Sequence, residues 1–275
     1  MPLRYAMCNE VFRGWPQERI FRFLAECGYQ GVEIAPFTIH RDVTQISASQ
    51  RKTLRKQADA AKIRVIGLHW LLAKTQGFHL THPDGAVRRH TAEYLCELAR
   101  FCRDLGGELL VFGSPKQRDL PPGISRQLGM RYACDVLRQV IPTLEKLGVI
   151  LALEPLSPRT TNFLRTAAEA VELIQKVDSP ACQLHLDCNA MASESVPIPE
   201  LIRRNARWLV HFHANDPNGR GPGMGELDFV PIFQALREIG YRGWISVEVF
   251  DVSPGPERTA RESLHYMKQV EKKVG

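Results

Sequence analysis

The feature that most limits how this chain can fold is a strict alternation of short β-rich runs with amphipathic stretches, repeated eight times. The runs are Leu3–Asn9, Gly31–Phe37, Arg64–Trp70, Glu108–Ser114, Val149–Pro155, Cys182–Cys188, Trp208–Asn215 and Trp244–Phe250. Between and after them, helical periodicity marks Gln17–Cys27, Ser47–Ala61, Asp84–Leu105, Ser125–Leu147, Thr166–Val177, Ile198–Asn205, Phe229–Ile239 and Pro256–Glu271. Strand-then-helix order calls for parallel strands, because a parallel pair needs a crossover that a helix supplies. Eight such units predict closure into a (β/α)8 TIM barrel of the α/β class, and 275 residues is an ordinary size for one. Residues 1–275 are therefore expected to form a single domain. A doubly wound open sheet is the competing architecture, but neither GxGxxG nor GxxxxGK[ST] follows a strand.

The punctuation agrees. Gly28, Gly106 with Gly107, Gly148 and Gly240 stand where a helix should stop just before the next strand, the usual place for a left-handed cap. Pro16 and Pro256 stand near the first turns of the first and last helices, where a missing N–H costs little. The longest irregular pieces, 70–83, 114–124, 191–199 and 216–228, all follow strands, so a barrel would gather them over its carboxyl-terminal face, where active sites are built.

Composition narrows the setting. No run of 18 apolar residues is present and the segment MPLRYAMCN lacks the layout of a signal peptide, so a soluble, cytoplasmic protein without membrane partners is expected. Seven scattered cysteines without a CxxC suggest neither a disulfide framework nor a thiolate metal site. The net charge of +6 would suit an anionic ligand or nucleic acid, but Arg88, Arg89, Arg100, Arg103, Arg203 and Arg204 are spread along helical stretches and read as solvated faces.

The chemistry concentrates at strand ends. In VHFHAND, Val210 and Phe212 alternate with His211 and His213, which puts both imidazoles on one face of the seventh strand. Three other apolar runs end in a carboxylate: VILALEP with Glu154, CQLHLDC with Asp187 and WISVEVFD with Glu248. In a closed barrel strands five to eight are adjacent staves about 4.8 Å apart, so four inward side chains at one height converge. Taken singly, a strand-end carboxylate is usually a helix cap or ion-pair partner and a lone His a satisfied core residue. Taken together, three carboxylates and one imidazole make an oxygen-rich set that suits one divalent cation, Mn²⁺ first, with Mg²⁺, Co²⁺ and Zn²⁺ as alternatives.

The order Glu in LEP, Asp in HLDCN, His in HFHAND, then GPGMGELDF and Glu in GYRGWISVEVF resembles the xylose-isomerase-like barrel superfamily, in particular its sugar isomerases and ketose 3-epimerases. The resemblance covers nearly the whole chain. It implies that Glu154, Asp187, His213 and Glu248 ligate one divalent ion and that Glu154 and Glu248 also act as the acid/base pair. The ion would bind a ketose carbonyl with its neighbouring hydroxyl and stabilise an enediolate. One glutamate would remove a proton and the other return one, to the opposite face or to the next carbon. It further implies a sugar or keto-polyol substrate and assembly as a dimer or tetramer. Three positions depart from the epimerase pattern: Ala190 and Thr160 replace an expected His and Glu, and Arg220, the substrate-binding candidate, stands one residue late.

Other candidate substrate contacts are His69 at the end of strand three and the aromatics Trp15 and Phe250, with Phe37 and Trp70 of the same kind. Glu33, flanked on its face by Gly31 and Ala35, counts among them, and reads equally as support beneath the site or as a structural pair. His185 and His211 lie one layer deeper than Asp187 and His213. Asp228 is expected to cap the helix that follows it. The leading reading is a metal-dependent sugar isomerase or epimerase; the alternative is a dehydratase or lyase of a keto-inositol or dehydroshikimate-like substrate, with His69 or Arg220 as the leaving group's acid. A DNA-repair nuclease of the endonuclease IV kind shares the barrel but needs further His ligands. Strand four ends VFGSP without one, so nucleic acid is not an expected partner.

Overall fold

The computed structural model describes residues 3–275, so Met1 and Pro2 of the expected domain lie outside the described residues. Eight parallel strands, β1 (Arg4–Cys8), β2 (Gly31–Ile34), β3 (Arg64–Leu68), β4 (Leu109–Phe112), β5 (Ile150–Leu153), β6 (Cys182–Asp187), β7 (Leu209–Ala214) and β8 (Trp244–Val247), follow one another around a closed barrel. β8 pairs back onto β1, with Met7 opposite Val247. The (β/α)8 barrel expected from the alternation is the observed fold. Each strand stops one to three residues short of the expected run.

The connecting helices are α1 (Gln17–Cys27), α2 (Ala48–Ala60), α3 (Gly85–Asp104), α4 (Arg126–Leu147), α5 (Ala167–Val177), α6 (Cys188–Met191), α7 (Ile198–Arg204), α8 (Val230–Glu238) and α9 (Pro256–Lys273). Their ends are set locally. Ser47 and Gln50 form a reciprocal capping box at α2, Ser125 accepts from the Leu128 N–H at α4, and Gly148 ends α4 in the left-handed conformation. Asp228, expected as the cap, stands one residue before the N-cap Phe229, from where its Oδ1 accepts from the Val230 N–H at the first residue of α8. The four-residue α6 was not foreseen from sequence; it exists because Asp187 Oδ1 accepts the Ala190 N–H.

Two cores result. Outward strand residues such as Leu110, Phe112, Leu151, Leu153 and Phe212 pack against helix stripes, for example Ile20, Phe21 and Leu24 of α1, all buried. Each such side chain contributes about 1.5–3 kcal/mol of hydrophobic stabilisation. Inside the barrel, Leu109, Val111 and Ala152 of β4 and β5 form a small separate apolar cluster. On the opposite side the interior is polar, with Glu33, His185, His211 and Ser246 buried. The ladder shifts register between Val32 and Glu33 and between Leu184 and His185, at two of these polar residues. Irregularities of this kind re-aim side chains near functional sites. Among the described residues no helix is long and apolar enough to cross a membrane.

Candidate active site

Period two along β5, β6, β7 and the segment after β8 turns Glu154, Asp187, His213 and Glu248 inward at the carboxyl-terminal end, and all four are buried. Glu154, Asp187, His213 and also His185 each offer a ligand atom within 4.8 Å of the others. His213 Nδ1 stands 3.1 Å from Glu248 Oε2, which joins the fourth expected ligand to the set. The four residues read from strand ends are thus brought together.

Three of the four, Asp187, Glu248 and His213, are held from outside the cluster. Asp187 Oδ1 accepts from the Ala190 N–H at 2.8 Å and Oδ2 from Asn215 Nδ2 at 2.6 Å. Glu248 Oε1 accepts from the Trp70 indole N–H at 2.6 Å. On its far side His213 Nε2 meets the Glu33 carboxylate at 3.2 Å, so the ring is fixed with Nδ1 facing the carboxylates. The same carboxylate meets His211 Nε2 at 2.8 Å. Glu33 is fully buried beneath His213 and does not line the cavity above the donors.

Packing three carboxylates together has an electrostatic consequence. Burial, with Glu248 and Asp187 as like charges, holds the Glu154 carboxyl well above the usual range. Burial and Glu248 push Asp187 up to about 6, against the His213 charge and its two hydrogen-bond donors. Burial would raise Glu248 too, but His213, His69 and the Trp70 N–H outweigh it and keep the group below its ordinary value. Burial disfavours the charged form of His213, yet Glu33, Cys8 and Glu248 outweigh that and raise its pKa well above the ordinary value. Its Nδ1 lies 3.1 Å from Glu248 Oε2, beside two further carboxyl groups. A divalent cation among these carboxyl groups would relieve their repulsion. His185 offers a further free donor at the same place: it is fully buried beside the cluster, neither ring nitrogen meets a side-chain hydrogen-bond partner, and burial with His213 and His211 holds its pKa well below the ordinary value. The donor set is therefore a candidate site for one divalent metal ion.

Above the donors lies a cavity of about 410 Å³ whose walls include Trp70, Leu156, Asn189, Ala190, Asn218 and Phe250. Glu154, Asp187 and Glu248 form its floor. Trp70 is held at φ 52°, a left-handed conformation rare for a bulky residue, between Phe37 and Phe250 with ring centroids 6.2 and 6.5 Å away. Phe250 thus takes the position expected of a substrate-facing aromatic. Three other expected contacts do not line the cavity. Trp15 packs against Phe12 and Phe23 under the Arg19 guanidinium. Arg220 Nε is 2.8 Å from Asp251 Oδ2, and this pair turns it away. His69 is fully buried, with Nε2 2.7 Å from Glu10 Oε2. Arg220 and His69 are withdrawn by partners 31 and 59 residues away, Trp15 by neighbours within eight residues.

Two residues that sequence reasoning passed over matter as much. A Cβ on Gly113 would stand 1.6 Å from Glu154 Oε2, so only glycine leaves room for that carboxylate. Its signal was a glycine directly after strand four, in VFGSP. Arg118, from the loop after β4, is fully buried, and its Nη1 donates to the Glu154 carbonyl at 2.6 Å while Nε and Nη2 stay unpartnered. Burial lowers its pKa to about 10 against the pull of Glu154 and Asp119. Nothing in the spacing of KQRDL distinguishes it from a surface arginine.

A closed eight-stranded barrel with this carboxylate and histidine set over its carboxyl-terminal end defines a class. The model of the xylose isomerase-like TIM barrel family matches residues 21–270, and the chain belongs to that family. Among curated relatives, the D-psicose 3-epimerase of Agrobacterium fabrum (strain C58) is 35% identical over 240 residues, covering 82% of this chain and 77% of its own. The probable ketose 3-epimerase of Synechocystis sp. (strain PCC 6803) is 25% identical over 271 residues, 92% of this chain and 91% of its own. The fructoselysine 3-epimerase of Escherichia coli O157:H7 is 24% identical over 90% of this chain and 91% of its own. A crystal structure of D-psicose 3-epimerase in the presence of D-fructose superposes with a TM-score of 0.87 at 20% identity, over 98% of this chain and 99% of that one, and shows the shared fold.

Proposed function

We propose that the protein is a divalent-metal-dependent sugar epimerase or isomerase acting on a ketose or related keto-polyol. The observation that carries this reading is geometric: Glu154 and Glu248, with Asp187 and His213 between them in strand order, gather at one end of the barrel, and both glutamates border the cavity over the candidate metal centre. Two carboxyl groups on one substrate cavity can divide into acid and base. Glu248, oriented by His213 and the Trp70 N–H, takes the proton beside the substrate carbonyl. Glu154 carries the proton returned from the other side, and the roles exchange in the reverse direction. When bound by Glu154, Asp187, His213 and Glu248, the cation supplies Lewis-acid polarisation of the carbonyl and its neighbouring hydroxyl. Trp70 and Phe250 give apolar faces to the sugar's C–H surfaces and limit water at the reacting carbon. The relatives named above, ketose 3-epimerases by name, support the same class. Neither acid considered for a lyase, His69 or Arg220, lines the cavity, so no observation favours dehydration.

The test is proton exchange in D₂O, followed by NMR with Mn²⁺ present across a panel of ketohexoses and ketopentoses. Deuterium should enter beside the carbonyl of a recovered sugar or its epimer, and Glu154→Gln and Glu248→Gln should each abolish it. Exchange that survives in both variants would sink the acid/base assignment.

A further inference from the structure

The cavity over the donors does not end at its own walls. Ser157, Thr160, Asn189 and Pro217 line it and also line an adjoining cleft of about 590 Å³ that opens outward between the loops after β5 and β6. At about 410 Å³ the inner cavity alone lies near the lower end of the roughly 300–1,000 Å³ of small-molecule sites, enough for one sugar and little else. The two compartments differ in chemistry. Among the described residues no Lys or Arg lines the inner cavity, so the sugar end it accepts is uncharged. The outer cleft is polar and carries one ionic side chain, Arg159, flanked by Ser193. Among the described residues the Arg159 guanidinium has no ion pair or hydrogen bond; only its backbone N–H is engaged, with Ser157 Oγ at 3.2 Å. Its lack of a partner is shared with other arginines such as Arg13, Arg41 and Arg89; what sets Arg159 apart is its place in a cleft that adjoins the cavity over the donors.

We propose that the outer cleft is a subsite for a substituent joined to the sugar, and that this substituent bears an anionic group, a carboxylate, met by Arg159. The inference rests on the epimerase reading and narrows it: the preferred substrate is a substituted ketose, larger than a free monosaccharide. Thr160 and Ser157 line the passage from one compartment to the other, and their hydroxyls suit the linking atoms. Arg159 contributes through a charge-assisted, forked hydrogen bond to the carboxylate that a neutral group cannot reproduce.

The experiment uses the full chain loaded with Mn²⁺ and whichever ketohexose exchanges its proton in the panel above. The kcat/KM of that free sugar is compared with adducts carrying glycine, through its nitrogen, at either terminal carbon, and with the matching glycinamide adducts. At least one glycine adduct should exceed both the free sugar and its glycinamide counterpart by about tenfold, the value of one charged hydrogen bond. Arg159→Ala should remove the preference for acid over amide, and Ser193→Trp should depress the adduct while leaving the free sugar unchanged. Equal kcat/KM for free sugar and adducts, or an acid preference that survives Arg159→Ala, would overturn the subsite and leave the epimerase reading standing. If no sugar, free or substituted, exchanges a proton, both readings fall together.

Discussion

Replacing Gly113 with alanine tests the geometry of the site at its tightest point. The added methyl would meet Glu154 Oε2 at 1.6 Å, and real contacts of that kind do not close below 3.0 Å, so the carboxylate must retreat by about 1.4 Å. The strands cannot part to make room. The Glu154 N–H donates to the Phe112 carbonyl at 3.2 Å, and Phe112 lies opposite Leu153 in the ladder. Overpacking of this sort costs about 1–3 kcal/mol, which at about 2–4 °C per kcal/mol lowers Tm by several degrees. The functional loss should be larger. Ligand distances tolerate only about ±0.2 Å, and a 1 Å misplacement of a reacting group costs about 10²-fold in rate. Gly113→Ala should therefore bind Mn²⁺ at least tenfold more weakly by calorimetry and turn over about a hundredfold more slowly, while its circular dichroism stays native. A Gly113→Ala protein with native metal affinity and native kcat would show that Glu154 is not held where these distances put it.

Further outcomes follow from the same contacts. The Asp187 carboxyl has an unfolded value of 3.8 and a folded one of about 6, so its protonated form stabilises the metal-free protein fully below pH 4, and this stability is lost as pH rises through 6; it amounts to about 3 kcal/mol. Adding Mn²⁺ should accordingly raise Tm more at pH 7.5 than at pH 5, where protons compete for the donors; an equal or opposite dependence by scanning calorimetry would contradict the like-charge argument. Trp70→Phe keeps the ring but removes the N–H that meets Glu248, so kcat should fall about tenfold or more and the acid limb of the pH profile should move upward; an unchanged profile would make that hydrogen bond incidental. Asn215→Ala strips a donor from buried Asp187 and should cost about 1–3 kcal/mol in denaturant unfolding together with about 10–100-fold in Mn²⁺ affinity.

What could be read from the chain alone divides along a physical line. The barrel and the convergence of four side chains follow from local periodicity and strand order, and closure makes consecutive strand ends neighbours, so the gathering of Glu154, Asp187, His213 and Glu248 was legible before any coordinate. α1 was legible to the residue, since Gly28 supplies its stop signal. Loop side chains were not, because their positions are decided by packing that periodicity does not encode. Asp251 draws Arg220 aside and Glu10 claims His69 from far along the chain, while Phe12 and Phe23 absorb Trp15 locally. Glu33 was legible as inward-facing but not as the base of His213, which depends on how strands two and seven face each other across the barrel. Gly113 and Arg118 escaped because one acts by being small and the other by being buried, and neither property has a spacing.

The short helix α6 ties two properties of this protein into one. Asp187 is both a donor of the candidate metal centre and the cap that holds Cys188–Met191 helical, and that turn carries Asn189 and Ala190 into the cavity wall. The carboxylate is therefore a common hinge pin between the candidate centre and the cavity wall. On the proposed function, an ion of different radius that drew Asp187 by a few tenths of an ångström would carry that wall with it. Choice of metal and choice of sugar would then not be separately adjustable traits, and a lineage or an engineer that changed one would inherit a shift in the other.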